Sequence, residues 1–244
     1  MGEPVGRPAH DHEGTLAMPA IALVAAGTRL GLSLGRVFGS HGFDVALIAR
    51  SAERLGDLTG KLAAEGVNAA AFPADVADRP GLVAALDSAA ARFGGIDVLQ
   101  YSAPYVRVGD SWMTGVLDVT VETLRPQIEG SCYGAIAATR AVLPAMVAAG
   151  TGTVLFTTGA SAVVPTPWAG AVGAAGAALH NWALNLNGAL ADKGVYVGHV
   201  ALGAWIAGTP GAPADASLME PDEIARIHWD LHTARGPAER LVTS

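Results

Sequence analysis

From residue 20 onward the chain alternates short, unbroken apolar runs with stretches of helical periodicity, and few folds accept that rhythm. IALVAA is followed by a helical pattern over Leu30–Ser40, DVALIA by one over 52–65 and VNAAAF by one over Arg79–Phe93. IDVLQY, TVLFTT and VYVGHVAL complete the series. Strands connected through helices in this way run parallel, and apolar residues at successive positions mean burial on both faces of the sheet. Gly42, Gly66 and Gly94 stand just past the helical stretches, where a left-handed residue commonly ends a helix.

The expected architecture is therefore α/β, a single doubly wound, Rossmann-type parallel sheet with helices on both faces. A chain of 244 residues is long enough to bury one such core. Residues 1–18, rich in Gly, Pro, His and acidic side chains, are expected to be an N-terminal extension of a domain spanning 19–244. Their His10, Asp11 and His12 have no fourth ligand in sequence and read as a solvated tail, so no metal is expected. A net charge of −7 without a basic stripe excludes nucleic acid and anionic membrane as partners. Although 51% of residues are hydrophobic, no unbroken apolar run approaches the roughly 18 residues of a membrane helix. The single Cys132 excludes an internal disulfide and reads as a buried side chain rather than a nucleophile. The first residues lack the apolar core of a secretory signal, and the expected location is cytoplasmic.

Two long helical stretches, 121–149 and 169–193, follow the fourth strand. Gly130, Gly134, Gly170, Gly173 and Gly176 would each cost about 1 kcal/mol relative to Ala inside a helix. Close helix-to-helix approach is the expected compensation, and the same faces are expected to pair copies into a homodimer or homotetramer. Pro126 should kink or delay the first of these helices. Residues 204–235 read as a Gly/Pro/Ala-rich lid running into a C-terminal helix. His228 and His232 are spaced like a two-histidine metal face but read as part of a surface helix, and His180 reads as an interface residue.

VAAGTRLGLSLGRVF after the first strand, VALIARS after the second, PADVAD after the third, IDVLQYSAP after the fourth and LPAM closing a long helix together resemble the short-chain dehydrogenase/reductase family from about residue 21 to 203. IHWDLH near the C-terminus resembles one branch of the same family. The resemblance implies a nicotinamide nucleotide, with NADP(H) the possible form. Its phosphate turn falls on Gly27, Arg29 and Gly31, with Ala25 replacing the first glycine as a mild change. Arg29 stands where the family has a glycine, and could either occlude the pyrophosphate space or clamp the phosphates; partial occlusion is preferred. Arg50 matches a 2′-phosphate cation, and Asp75 and Val76 match the pair beside the adenine. The alternatives, a turn cap for Asp75 and an ordinary surface charge for Arg50, stand equally.

The resemblance also locates four catalytic positions, and their usual residues are missing. The tyrosine position falls on Val172, the lysine on Gly176, the serine on Gly159 and the asparagine on Gln127. Replacement acid/base groups are sought at Tyr101, Tyr105, Asp110, Gln127 and Ser161, since ligands in such sheets sit beyond the strand C-termini. For either tyrosine an amphipathic pocket wall is the preferred alternative, and for Ser161 a turn hydroxyl. Thr158, Gly159, Trp168, Val172, Gly176 and Trp205 would wall a large apolar pocket for a hydrophobic small molecule. The expectation is a redox-neutral cyclisation, elimination or isomerisation with no required cofactor. The alternatives are an NADP(H)-dependent oxidoreductase with relocated catalytic groups, and a non-catalytic subunit or sensor that pairs with an active homologue.

Overall fold

The computed structural model describes residues 18–103, 113–210 and 212–243. Its centre is a seven-stranded parallel sheet formed by β1 (Ala20–Val24), β2 (Asp44–Ala49), β3 (Ala69–Pro73), β4 (Val98–Tyr101), β5 (Gly152–Gly159), β6 (Val195–Leu202) and β9 (Glu239–Val242). The spatial order is β3-β2-β1-β4-β5-β6-β9. All five residues of β1 are buried, as expected of a strand covered on both faces.

Helices α3 (Arg79–Phe93), α5 (Gly134–Ala149) and α6 (Gly170–Leu190) cover one face, where Leu82, Leu86, Ala138, Val142 and Leu179 meet Val24, Leu99 and Phe156. Helices α1 (Leu30–Ser40), α2 (Ala52–Ala64) and α7 (Pro221–Ala234) cover the other, where Phe38, Leu58, Leu62 and Ile224 meet Leu23, Leu47 and Val200. The helix ends follow local chemistry. Ser51 accepts a hydrogen bond from the Arg54 amide at the start of α2, Asp78 accepts from Gly81 at the start of α3, and Gly94 ends α3 at φ +84°.

Four expectations change. First, the 204–235 stretch contains a small parallel ribbon, β7 (Trp205–Ile206) with β8 (Leu218–Met219), before α7, and the chain then supplies the edge strand β9. Second, the long helix is divided into α4 (Val121–Gln127), a π-helical turn (Ile128–Tyr133) and α5. Pro126 lies inside α4, and the irregular turn comes immediately after Gln127. Third, the glycines of α5 and α6 mostly admit turns and a strand side chain rather than another helix. A Cβ at Gly173 would stand 3.1 Å from the Ser161 carbonyl and one at Gly176 2.9 Å from Ala162 Cβ, while Gly134 leaves room for the Tyr101 hydroxyl. Fourth, the composite helix Val121–Ala149 does reach the length and hydropathy of a membrane span. Its Ala135, Ala138, Val142 and Met146 nevertheless pack into the core beneath the sheet, as a layer helix of an α/β domain does.

Candidate functional site

The C-terminal ends of β1, β4, β5 and β6 converge with the first turn of α1, the π turn and the start of α6. In the β1–α1 turn, Ala25 has φ +63°, the left-handed region in which a Cβ is penalised. Replacement of glycine here is thus a strained change and not a mild one. Gly31 is required sterically, because a Cβ there would lie 2.9 Å from Ala26 Cα. Gly27 has nothing within 4 Å of where a Cβ would stand. Arg29 forms the N-cap of α1 without a side-chain cap, and its Nε would lie 3.2 Å from a Cβ on Gly208, so the side chain spans from the first turn to the segment after β7.

At the far end of the same edge, Arg50 is exposed beside Ser51, the N-cap of α2. Asp75 Oδ1 accepts a hydrogen bond from the Ala77 amide at 2.9 Å, the turn-capping alternative, with its other oxygen left over. The Val76 carbonyl lies 3.1 Å from where a Cβ of Gly134 would stand. The turn glycines, the uncapped α1 terminus and Arg50 fit the adenosine and 2′-phosphate half of a nicotinamide nucleotide. The other half is not matched in the same way: Arg29 crosses the turn, and α6 offers neither hydroxyl nor ammonium at Val172 and Gly176.

Tyr101 leaves the list of acid/base candidates. Its side chain is 1% exposed within the α3–α5–α6 core and its hydroxyl donates to the Gly130 carbonyl of the π turn. Burial, chiefly, pushes the phenol far above its ordinary pKa. Its structural task is to tie β4 to the irregular turn. Tyr105 and Asp110, the other two candidates after β4, lie outside the described residues, as do His10, Asp11 and His12. Gln127 is buried at the last position of α4, directly before the π turn, and its backbone carbonyl accepts from Ser131 Oγ at 2.6 Å. Irregular helical turns of this kind often accompany functional sites.

Thr158 and Gly159 end β5, Ser161 lies half-buried in the following 3-10 turn, and that turn packs on Gly173 and Gly176 of α6. Val172 is 2% exposed on the same helix, one turn before Gly176. Thr158, Gly159, Ser161, Val172 and Gly176 are therefore brought to one junction. Trp205 is half-buried in β7, whereas Trp168 is 60% exposed in a short turn before α6 and is not enclosed by the described residues. A shallow groove elsewhere, between α3 and α5 around Arg79, Val83, Tyr133 and Arg140, contains none of the site residues.

The structure buries His228, which the sequence places on a surface helix, and also buries His199, which no sequence motif marks. His228 is wholly buried and faces the sheet: its Nδ1–H donates to the Ile224 carbonyl at 2.8 Å, so its Nε2 accepts from the Thr157 hydroxyl at 2.7 Å. Gln100 Nε2 in turn donates to Thr157 Oγ1 at 3.1 Å, linking β4, β5 and α7. Burial lowers the His228 pKa to about 4. His232 Nδ1 lies 3.0 Å from Thr153 Oγ1, within a ring cluster with Phe38, Phe43 and Trp229. Both histidines thus point inward from α7 and not into solvent. Within the chain, His180 bonds Glu239 and lies 4.9 Å, ring to ring, from His199. Cys132 is buried as expected, and burial raises its thiol pKa. A sequence signal exists for His199, which interrupts the apolar run VYVGHVAL; His228 and His232 lie among charged residues and carry none.

A parallel sheet with crossovers on both faces and a glycine-bearing turn after β1 defines the Rossmann class of nucleotide-fold proteins. Residues 20–211 match the family model described as short chain dehydrogenase, and the chain belongs to that family. It is similar to an uncharacterized oxidoreductase of Staphylococcus aureus (strain USA300), 25% identical over 214 residues that span 86% of this chain and 90% of that protein. A metagenomic short-chain oxidoreductase solved in complex with NADP is 25% identical with a TM-score of 0.76, covering 94% of this chain and 98% of that one. Actinorhodin polyketide ketoreductase, in a variant solved with NADPH, is 21% identical with a TM-score of 0.80 over 92% and 95% of the two chains, a likeness of fold.

Proposed function

We propose that this member of the family acts on a hydrophobic small molecule in a redox-neutral step, a cyclisation, elimination or isomerisation, that requires no nucleotide. The observation that carries the proposal is the junction of α6 with the turn after β5. Val172 is buried and Gly176 is sealed by Ala162, so this face supplies neither a proton donor nor a cation to a bound carbonyl. General acid catalysis is worth about 10² to 10⁴ in rate, and valine provides none of it. In this reading Trp205 and Val172 bring apolar side chains to the site, which suits an aromatic or polyketide-like ligand. Acid/base work then falls to Ser161, Gln127, Tyr105 or Asp110.

A second proposal, an NADP(H)-dependent oxidoreductase with relocated catalytic groups, is favoured by Arg50 beside the α2 N-cap, by the surviving turn of Gly27 and Gly31, and by the NADP of the metagenomic relative. Titration of NADP(H) against the full chain separates the two. Binding at about 100 times the dissociation constant would add about 2.7 kcal/mol of stability. The redox-neutral function predicts no thermal shift at millimolar NADP(H), and NADPH consumption in proportion to product would overturn it.

A further inference from the structure

We propose that His180, His199 and Glu239 form a binding site for one divalent transition-metal ion of the zinc type, clasping α6, β6 and β9 together. His199 and Glu239 are register partners on adjacent parallel strands, so their side chains project to the same face of the sheet, and His180 descends onto that face from α6. One ligand atom from each of the three lies within 4.8 Å of the other two. Imidazole and carboxylate are ligands such an ion accepts, and three protein ligands leave a fourth tetrahedral position for solvent.

The hydrogen bonds around His199 supply a second, independent observation. Thr158 Oγ1 lies 3.1 Å from the Gly159 carbonyl and 2.9 Å from His199 Nε2, so the hydroxyl can donate to the carbonyl while it accepts from the ring. In that tautomer, the one ion binding requires, His199 carries its proton on Nε2 and presents a bare lone pair on Nδ1. That nitrogen is fully buried and has no partner among the described residues. A buried acceptor without a donor is costly, and an ion would satisfy it. The Nε2–H to Thr158 bond is also the outer-shell bond that metal-bound histidines commonly make. At the other side, His180 Nε2 donates to the Glu239 carboxylate; the ion would take the place of that hydrogen on Nε2, and the ring of the neutral histidine would keep its proton on Nδ1. Side-chain exposures of 19% for His180 and 34% for Glu239 give the ion a route in from the sheet edge. The site does not depend on the reaction proposed above.

The test is titration of the full chain with Co²⁺, read by its visible d–d absorption, with displacement by Zn²⁺. One equivalent should bind with tetrahedral intensity and raise the melting temperature. Glu239→Gln, at the half-exposed edge where folding is tolerant, should weaken binding at least tenfold and abolish the thermal shift, and His180→Ala should do the same. His10→Ala with His12→Ala should change neither. Absence of stoichiometric binding overturns the site, as does binding unchanged in Glu239→Gln and His180→Ala, or binding lost in the tail variant.

Discussion

Ala25 holds φ +63° although it is not glycine, and the turn it makes is the one from which α1 departs. The left-handed region costs an L-residue about 1–2 kcal/mol, partly offset by the greater chain entropy of glycine. Ala25→Gly should therefore raise unfolding free energy by about 0.5–1 kcal/mol, measured as a higher urea midpoint at unchanged slope. Gly176 predicts the opposite sign. Placing the family's lysine there brings a Cβ to 2.9 Å from Ala162 Cβ, in a turn that is itself packed on Gly173. Gly176→Lys should lose about 1–3 kcal/mol by overpacking, and Val172→Tyr with Gly176→Lys should gain no NADPH-dependent carbonyl reduction. A stable double variant with reductase activity would show that the junction opens more readily than its contacts indicate. At this scale the letters alone say that Gly159, Val172 and Gly176 carry no hydroxyl or amine. They do not give the fate of Tyr101, because the space for its hydroxyl is created by Gly134, which is distant in sequence and adjacent only after α5 docks.

The six strands and six principal helices were readable because the apolar runs of β1, β2, β4, β5 and β6 are largely buried on both faces, and edge strand β3, only partly covered, keeps its place in the same rhythm. Leu30–Ser40, Asp44–Ala49 and Arg79–Phe93 coincide with their sequence patterns. Strand β9 escaped because ERLV sits at a half-exposed edge, where neither continuous nor alternating apolarity is imposed. The orientation of α7 escaped for a related reason: its histidines count as polar in a periodicity pattern, yet His228 is the residue that plugs the helix onto Thr157. That placement makes α7 pH-sensitive. His228 is held near pKa 4 in the fold against an ordinary 6.5, so between those values the unfolded chain binds the extra proton. Its contribution is fully present above pH 6.5 and is lost as the pH falls toward 4. Unfolding free energy should consequently decline over that window, and His228→Asn should reduce the slope by about one proton per molecule, measured by urea titrations at a series of pH values. An identical slope in the variant would place the proton uptake elsewhere.

For the molecule as a whole, we propose that the faces of α5 and α6 turned away from the sheet pair copies of the chain. Ala174, Ala177, Ala178 and Asn181 are exposed along α6, giving it a small-residue surface that another helix can approach closely, and Tyr133 is 49% exposed beside the π turn at the head of α5. These exposed positions are distinct from Gly173 and Gly176, whose side of α6 is already occupied by the turn after β5. The glycines and the alanines of one helix thus serve different contacts, one within the chain and one proposed between chains. A lasting pair needs about 1,600 Å² of buried surface in total, which requires the two helical faces together. The chain is expected to sediment as a dimer or tetramer at micromolar concentration. Ala178→Arg, which places a charge on an exposed position and leaves the monomer's core untouched, should shift it toward monomer by at least tenfold in dissociation constant. A wild-type chain that sediments as a monomer at tens of micromolar would refute pairing altogether. An assembly indifferent to Ala178→Arg would instead move the interface off α6, leaving its small residues to be explained by the turn contacts alone.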